Sequence, residues 1–317
     1  GLYWNIPSIR CFHSIVPASV MEFYPEVDVK RDVSSKPEYS YYALRSFLSV
    51  KYLYAQADEV TPDSVLCQGF EFYKEENGYY IFKNTNYIPM VFTFDYYITE
   101  EEFEDVPTTQ RDKVLTSAIV LTNSQILQYS SDVKHLPGGP DRYMSYEDFQ
   151  LQAALRSRSS AFEFEYDASG FNAKIFLNKN NLVFFSVPYD EGWTAYVNGV
   201  ETAIERVDTG FMAVYAEKGA NEITFVYRTP GLKYGAYISA AALLVSVLYI
   251  LYFVRAGKHK NDDEIMSEYY EKREADAEFE DEPELPPEED LTVIRKPEDT
   301  PPYTEYDGPD PKIYPDL

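Results

Sequence analysis

"YDEGWTAYVNGV", residues 189–200, decides how the second half of the chain is read. From Trp193 the segment alternates: Trp193, Ala195 and Val197 fall on one side, Thr194, Tyr196 and Asn198 on the other. Period-two alternation marks a half-buried strand, and the mostly apolar side is the one that faces a core. Asn198-Gly199 ends the strand, a dipeptide suited to tight hairpins because both residues tolerate positive φ. Gly192 permits a bend or bulge just ahead of Trp193. Two roles are open to Trp193. It can fill a core between sheets, or it can stack on a sugar face with Tyr189, Asp190 and Asn198 as a hydrogen-bonding rim. The apolar neighbours on its own face make the first role the stronger.

Seven short period-two segments follow one another between residues 158 and 229: AFEFEYD, FNAKIFL, LVFFSVPY, TAYVNG, ETAIERV, FMAVYAE and NEITFVY. Turn residues punctuate them, among them Asp167 to Gly170, Asn178 to Asn181, Asn198-Gly199, Gly210 and Lys218-Gly219. Such spacing predicts an antiparallel, jelly-roll-like β-sandwich. "SYEDFQLQAALRSR", residues 145–158, predicts a helix leading into it, opened by Ser145 and Asp148 as an approximate capping box. Helix and sandwich together make one expected domain, residues 145–230. Residues 1–144 predict an α+β region packed on the sandwich. There, Tyr41, Leu44, Phe47 and Leu48 have helical spacing, and a strand follows near Val50 to Tyr54. Asn77-Gly78 turns a hairpin, Thr99 opens a short helix, and "TTQRDKVLTSAIVL", residues 108–121, reads as another helix.

"GAYISAAALLVSVLYILYFV", residues 235–254, contains no charge. At a rise of about 1.5 Å per residue, twenty helical residues reach about 30 Å, the thickness of a bilayer's hydrocarbon core. Tyr234 and Tyr237 mark one end and Tyr249 and Tyr252 the other, as in interfacial aromatic belts. Residues 234–254 are therefore expected to cross a lipid bilayer. Arg255, Lys258 and Lys260 follow the span, against Arg228 and Lys233 before it. This bias predicts residues 1–230 as extracytoplasmic and the tail from 255 as cytoplasmic. Gly235/Ser239 and Ala242/Ser246 are small pairs that would let other membrane helices approach.

The tail, residues 255–317, has 8 Lys+Arg against 21 Asp+Glu, a net of −13 within the chain's −25. Acidic and proline-rich, it cannot bury enough apolar surface to offset chain entropy and is expected to be disordered, apart from a helical turn or two within 262–280. A chain this acidic lacks the basic footprint nucleic acid requires. His13, His135 and His259 are far apart, Cys11 and Cys67 make no framework, and no nucleotide- or metal-binding motif is present, so neither cofactor nor metal is expected. The two cysteines can form one bridge or be two buried side chains. Gly1 rather than Met opens the chain, which reads as part of a longer protein.

"GWTAYVNGVETAIERVDTGFMAVYAEKGANEITFVYRTPGL", running directly into the apolar span, resembles the C-terminal end of the bacterial YfhO-like membrane proteins. "IRCFHSIVPASVMEFY" and "RSFLSVKYLYA" resemble that family's earlier extracytoplasmic segment. The resemblance covers residues 1 to about 254 and leaves out the acidic tail. It implies a polytopic glycosyltransferase of the GT-C type, which takes a sugar from a polyprenyl-phosphate donor and places it on a cell-envelope glycopolymer. The catalytic carboxylate of such enzymes lies in an early loop between N-terminal membrane helices, so none of this chain's residues inherits it. Glu100, Glu101, Glu102 and Glu104 read as a solvated helix start. Two other functions stay open: a single-pass surface protein that binds glycan or protein, and a purely structural brace.

Overall fold

A computed structural model describes residues 8–9, 11–12, 16–30, 34–35, 37–256 and 262–277. The first third runs β1 (Cys11–Phe12), α1 (Ala18–Glu26), β2 (Ser34–Ser35), α2 (Tyr42–Phe47), β3 (Tyr52–Gln56), β4 (Phe70–Glu76), β5 (Tyr79–Asn84), β6 (Val91–Thr93) and β7 (Tyr96–Thr99). The middle runs α3 (Glu100–Glu104), α4 (Thr108–Val114), β8 (Ile119–Leu121), α5 (Asn123–Tyr129), β9 (Lys134–His135) and α6 (Tyr146–Arg158). Eight strands follow: β10 (Glu163–Tyr166), β11 (Gly170–Leu177), β12 (Asn181–Pro188), β13 (Trp193–Val197), β14 (Val200–Thr202), β15 (Glu205–Val207), β16 (Phe211–Ala216) and β17 (Gly219–Tyr227). Helices α7 (Leu232–Ala256) and α8 (Asp262–Ala277) complete the described chain. Contacts divide it into two compact units, residues 1–240 and 241–317.

In the first unit the strands β10-β11-β17-β13-β14 form one antiparallel sheet and β15-β16-β12-β6 another. One apolar cluster draws on both: Phe171, Ile175, Ala195 and Phe225 from the first, Val183, Phe185, Met212 and Val214 from the second. The alternate residues of β12 and β16, Leu182, Phe184, Phe211 and Ala213, enter a second cluster with Phe23, Phe47 and Phe149 of helices α1, α2 and α6. The four-stranded sheet is thus covered on both faces, which is why "LVFF" in β12 is continuously apolar. Phe47 lies 5.2 Å from both Phe184 and Phe211, and Phe23 lies 4.7 Å from Phe211, so the helical first half does pack on the sheets.

Two expectations need correction. "ETAIERV" is not one strand: β14 and β15 end up in different sheets, and the chain crosses between them at Ala203-Ile204. "TTQRDKVLTSAIVL" is helical only to Val114. Its apolar end is β8, which pairs in parallel with β7 in the sheet β8-β7-β9. A short buried strand is apolar on both faces, so its pattern matches that of a buried helix. Residues 1–144 and 145–230 are joined across 144/145, where β6 pairs with β12 and α6 packs into the helical cluster through Phe149 and Ala153.

Local signals were accurate. Asn77-Gly78 and Asn198-Gly199 turn two-residue hairpins with all four φ angles between 52° and 80°. Thr99 completes a capping box with Glu102, while Ser145 accepts the Asp148 amide to cap α6. Among the described residues α7 is the one helix long and apolar enough to cross a membrane, with a mean hydropathy of 2.2. The Ser246 hydroxyl donates to Ala242 O at 2.8 Å, which satisfies it within its own helix. Helix α8 runs for 16 residues, longer than the helical turn or two expected within 262–280; most of the rest of the tail lies outside the described residues, as do Lys258, Lys260 and the side chain of Cys11. Cys67 is buried.

Candidate binding surface

Of the four residues proposed as a sugar platform, Tyr189, Asp190 and Trp193 lie around the start of β13 and Asn198 lies at its far end. Trp193 packs edge-on against Phe171 at 5.1 Å, Tyr227 at 5.0 Å and Phe225 at 6.1 Å, at the margin of the cluster between the two sheets. Tyr189 borders the same cluster, and its carbonyl accepts the Ser19 hydroxyl at 2.7 Å. Asp190 turns the chain into β13 by accepting the Gly192 amide at 2.8 Å. A Cβ at Gly192 would lie 2.6 Å from the Tyr227 ring and 2.7 Å from Arg228 O, so that glycine serves a close approach. Asn198 stands at the far end of β13, about 16 Å from Trp193 at a strand's rise per residue. Its side chain donates to Asn221 at 3.0 Å and accepts the Glu222 amide at 2.9 Å, which commits both amide atoms internally.

In the acidic cluster Glu102 is likewise engaged. Glu102 accepts the Thr99 amide at 2.9 Å and lies 2.9 Å from His135 Nε2. Burial pushes its carboxyl up, but the Thr99 amide and the His135 imidazole outweigh that and hold it below its ordinary value. No group of His, Cys, Asp or Glu among the described residues could hold a metal ion.

A different surface is open. In the antiparallel sheet β3-β5-β4, Leu53, Phe70 and Phe82 face inward with Cys67. The opposite face has Tyr52 and Tyr54 on β3, Tyr79 and Ile81 on β5, and Tyr73, Lys74 and Glu76 on β4, around a depression of about 390 Å³. Ile81 is buried at its floor, whereas Tyr54 and Tyr73 are 46% and 53% exposed. A bulge between Phe72 and Lys74 creates this face. Phe72 turns inward to Tyr80 and Phe82, at 5.6 and 6.1 Å, and the extra residue lets Tyr73 and Lys74 both line the outer side. Lys74 pairs with Glu76, Lys83 lies 5.9 Å from the Tyr73 ring, and Lys51 lies 5.6 Å from the rings of Tyr52 and Tyr87. A second hollow of about 500 Å³, beside Gln56, Asp58 and Gly78, shares Tyr79 with the first. Sequence reasoning missed this surface: the tyrosines were visible, but the bulge and the covered face were not.

Comparison with known proteins gives a consistent assignment. Residues 1–154 and 144–239 match a family described as "Bacterial membrane protein YfhO". A stretch of 74 residues, 23% of this chain, is 38% identical to "Uncharacterized protein YfhO" of Bacillus subtilis (strain 168) and spans 9% of that protein's length. No solved structure matches.

Proposed function

Because the chain belongs to the YfhO family of bacterial membrane proteins, we propose that it is the extracytoplasmic module and final membrane helix of an envelope glycosyltransferase of the GT-C type. In this reading residues 1–230 lie outside the cell, α7 crosses the bilayer, the tail from 255 is cytoplasmic, and other membrane helices pack on the small residues of α7. The two antiparallel sheets around Phe185 and Phe225 form a jelly-roll-like sandwich. The module binds and positions the acceptor glycopolymer, and a polyprenyl-phosphate-linked sugar is the donor.

The observation that favours positioning over chemistry is the continuity of β17 with α7. Arg228 to Gly231 alone separate the last strand from the apolar helix, so the sheets and the span are joined by a short connection in the chain. The engaged state of Glu102 agrees with this, since a carboxylate tied into a helix cap is a poor general base. A second reading, a brace that binds nothing, draws on the internal roles of Trp193 and Asn198.

The test is a titration of the chain in lipid nanodiscs with glycopolymers extracted from bacterial envelopes. Saturable binding is expected; none up to about 1 mM, a binding free energy near −4 kcal/mol, would leave the brace.

A further inference from the structure

We infer that the tyrosine face of β3-β5-β4 is a docking site for a glycan chain. The inference rests on the glycopolymer reading for its biological partner and adds the place and chemistry of contact. Its starting point is the shape of that face. Tyr52, Tyr54, Tyr73 and Tyr79 surround the buried Ile81, with Lys74, Glu76, Asn77 and Gln56 at the edges of two hollows that share Tyr79. An apolar floor with a few convergent polar groups is the composition of a ligand site.

The ligand class follows from the chemistry offered. Pyranose rings present flat C–H faces edged by hydroxyls. Aromatic rings, whose faces are electron-rich, receive the C–H faces. Amide, ammonium and carboxylate groups side by side can donate to and accept from adjacent hydroxyls. A proline-rich peptide would use the rings and accept at its carbonyls, but it has few N–H groups to offer the Glu76 carboxylate. The two hollows share Tyr79, which suits a chain of several sugar units over a single one.

A second copy of the protein fits less well. Three strands about 4.8 Å apart and five to seven residues long present about 300 Å². A stable protein interface needs about 800 Å² from each partner. The bulge at Phe72/Lys74 is the second, independent mark: it rotates Tyr73 outward, and bulges recur beside functional sites because they re-aim side chains.

The experiment uses the full chain in nanodiscs, titrated with hexasaccharides of glucose, galactose, mannose and N-acetylglucosamine, and with a decaproline peptide. Binding of at least one hexasaccharide is expected. Tyr54→Ala and Tyr79→Ala should each weaken it about tenfold, Tyr54→Phe should retain most of it, and the thermal midpoints of the Tyr54 variants should hardly move because Tyr54 is half exposed. Saturable binding unaffected by either alanine variant would overturn this site and leave glycan recognition standing elsewhere. Equal or tighter binding of decaproline would overturn the ligand class. Absence of binding by every hexasaccharide, together with failure of the envelope glycopolymers, would overturn both readings.

Discussion

The buried carboxylate of Asp208 accepts the backbone amide of Val120 at 2.6 Å, which joins the β15–β16 turn to the edge of the parallel sheet. Asp208 has a φ of 47° and Thr209 one of 65°, so the turn is held in the left-handed region by non-glycine residues. Burial drives the Asp208 carboxyl well above its ordinary value, against the lowering effect of the Val120 amide. Asp208→Asn keeps an acceptor and a residue that tolerates positive φ, and should cost under about 1 kcal/mol. Asp208→Ala leaves the Val120 N–H unpaired and strains the turn, at about 2–4 kcal/mol. Denaturant titration of the two variants separates the cases; equal losses would contradict this role.

Asp112 gives the fold a pH dependence. Its carboxylate accepts the Leu44 amide at 3.3 Å, capping α2 from another element, and burial pushes its pKa up to about 6. A raised carboxyl pKa means the folded state holds a proton that the unfolded chain releases near pH 4. Stability from this group is therefore full below about pH 4 and is lost as pH rises to about 6. The loss is on the order of 2 kcal/mol. Asp112→Asn retains the acceptor and removes the titration, so its stability should change less than wild type between pH 4.5 and 7. An unchanged difference would refute the assignment.

Glycine positions should divide by what surrounds them. A Cβ at Gly210 would lie 2.5 Å from Ser19 O and 3.2 Å from Phe23 Cβ, so Gly210→Ala must displace α1 and should cost about 1–3 kcal/mol. Gly199 has open space but a φ of 80°, and Gly199→Ala should cost only about 1 kcal/mol of backbone strain. Thermal unfolding of the pair is the check, with the Gly210 variant expected to have the lower midpoint.

Trp193→Ala should destabilise the first unit by about 3 kcal/mol, since it removes three aromatic contacts at the margin of a core. Glycan affinity measured below the unfolding transition should stay within about twofold of wild type. A selective loss of affinity in a stably folded Trp193→Ala protein would restore the sugar-platform reading.

What the sequence made legible was local. Asn77-Gly78 and Asn198-Gly199 specify their turns by conformational preference alone, and Thr99 with Glu102 specifies a helix start within four residues. What it hid depended on distant partners. Nothing in "ETAIERV" says that the chain changes sheets at Ala203-Ile204, because that step is set by pairing with β13 on one side and β16 on the other. "AIVL" could not be told from helix until β7 supplied a parallel neighbour. The tyrosines of β3, β4 and β5 stand in plain view, yet only the inward packing of Phe82 and the bulge at Tyr73 decide which of them stay open to a ligand.

The central claim, a sheet-rich unit outside the cell and a tail within, is tested most directly by cysteine labelling on intact bacteria. Tyr143→Cys, at an exposed position of the first unit, and Ser267→Cys, on the exposed surface of α8, are each treated with a membrane-impermeant maleimide and compared with wild type. The account predicts that Cys at 143 labels on whole cells and that Cys at 267 labels only after lysis. Labelling at 267 on whole cells, or protection at 143, would contradict it.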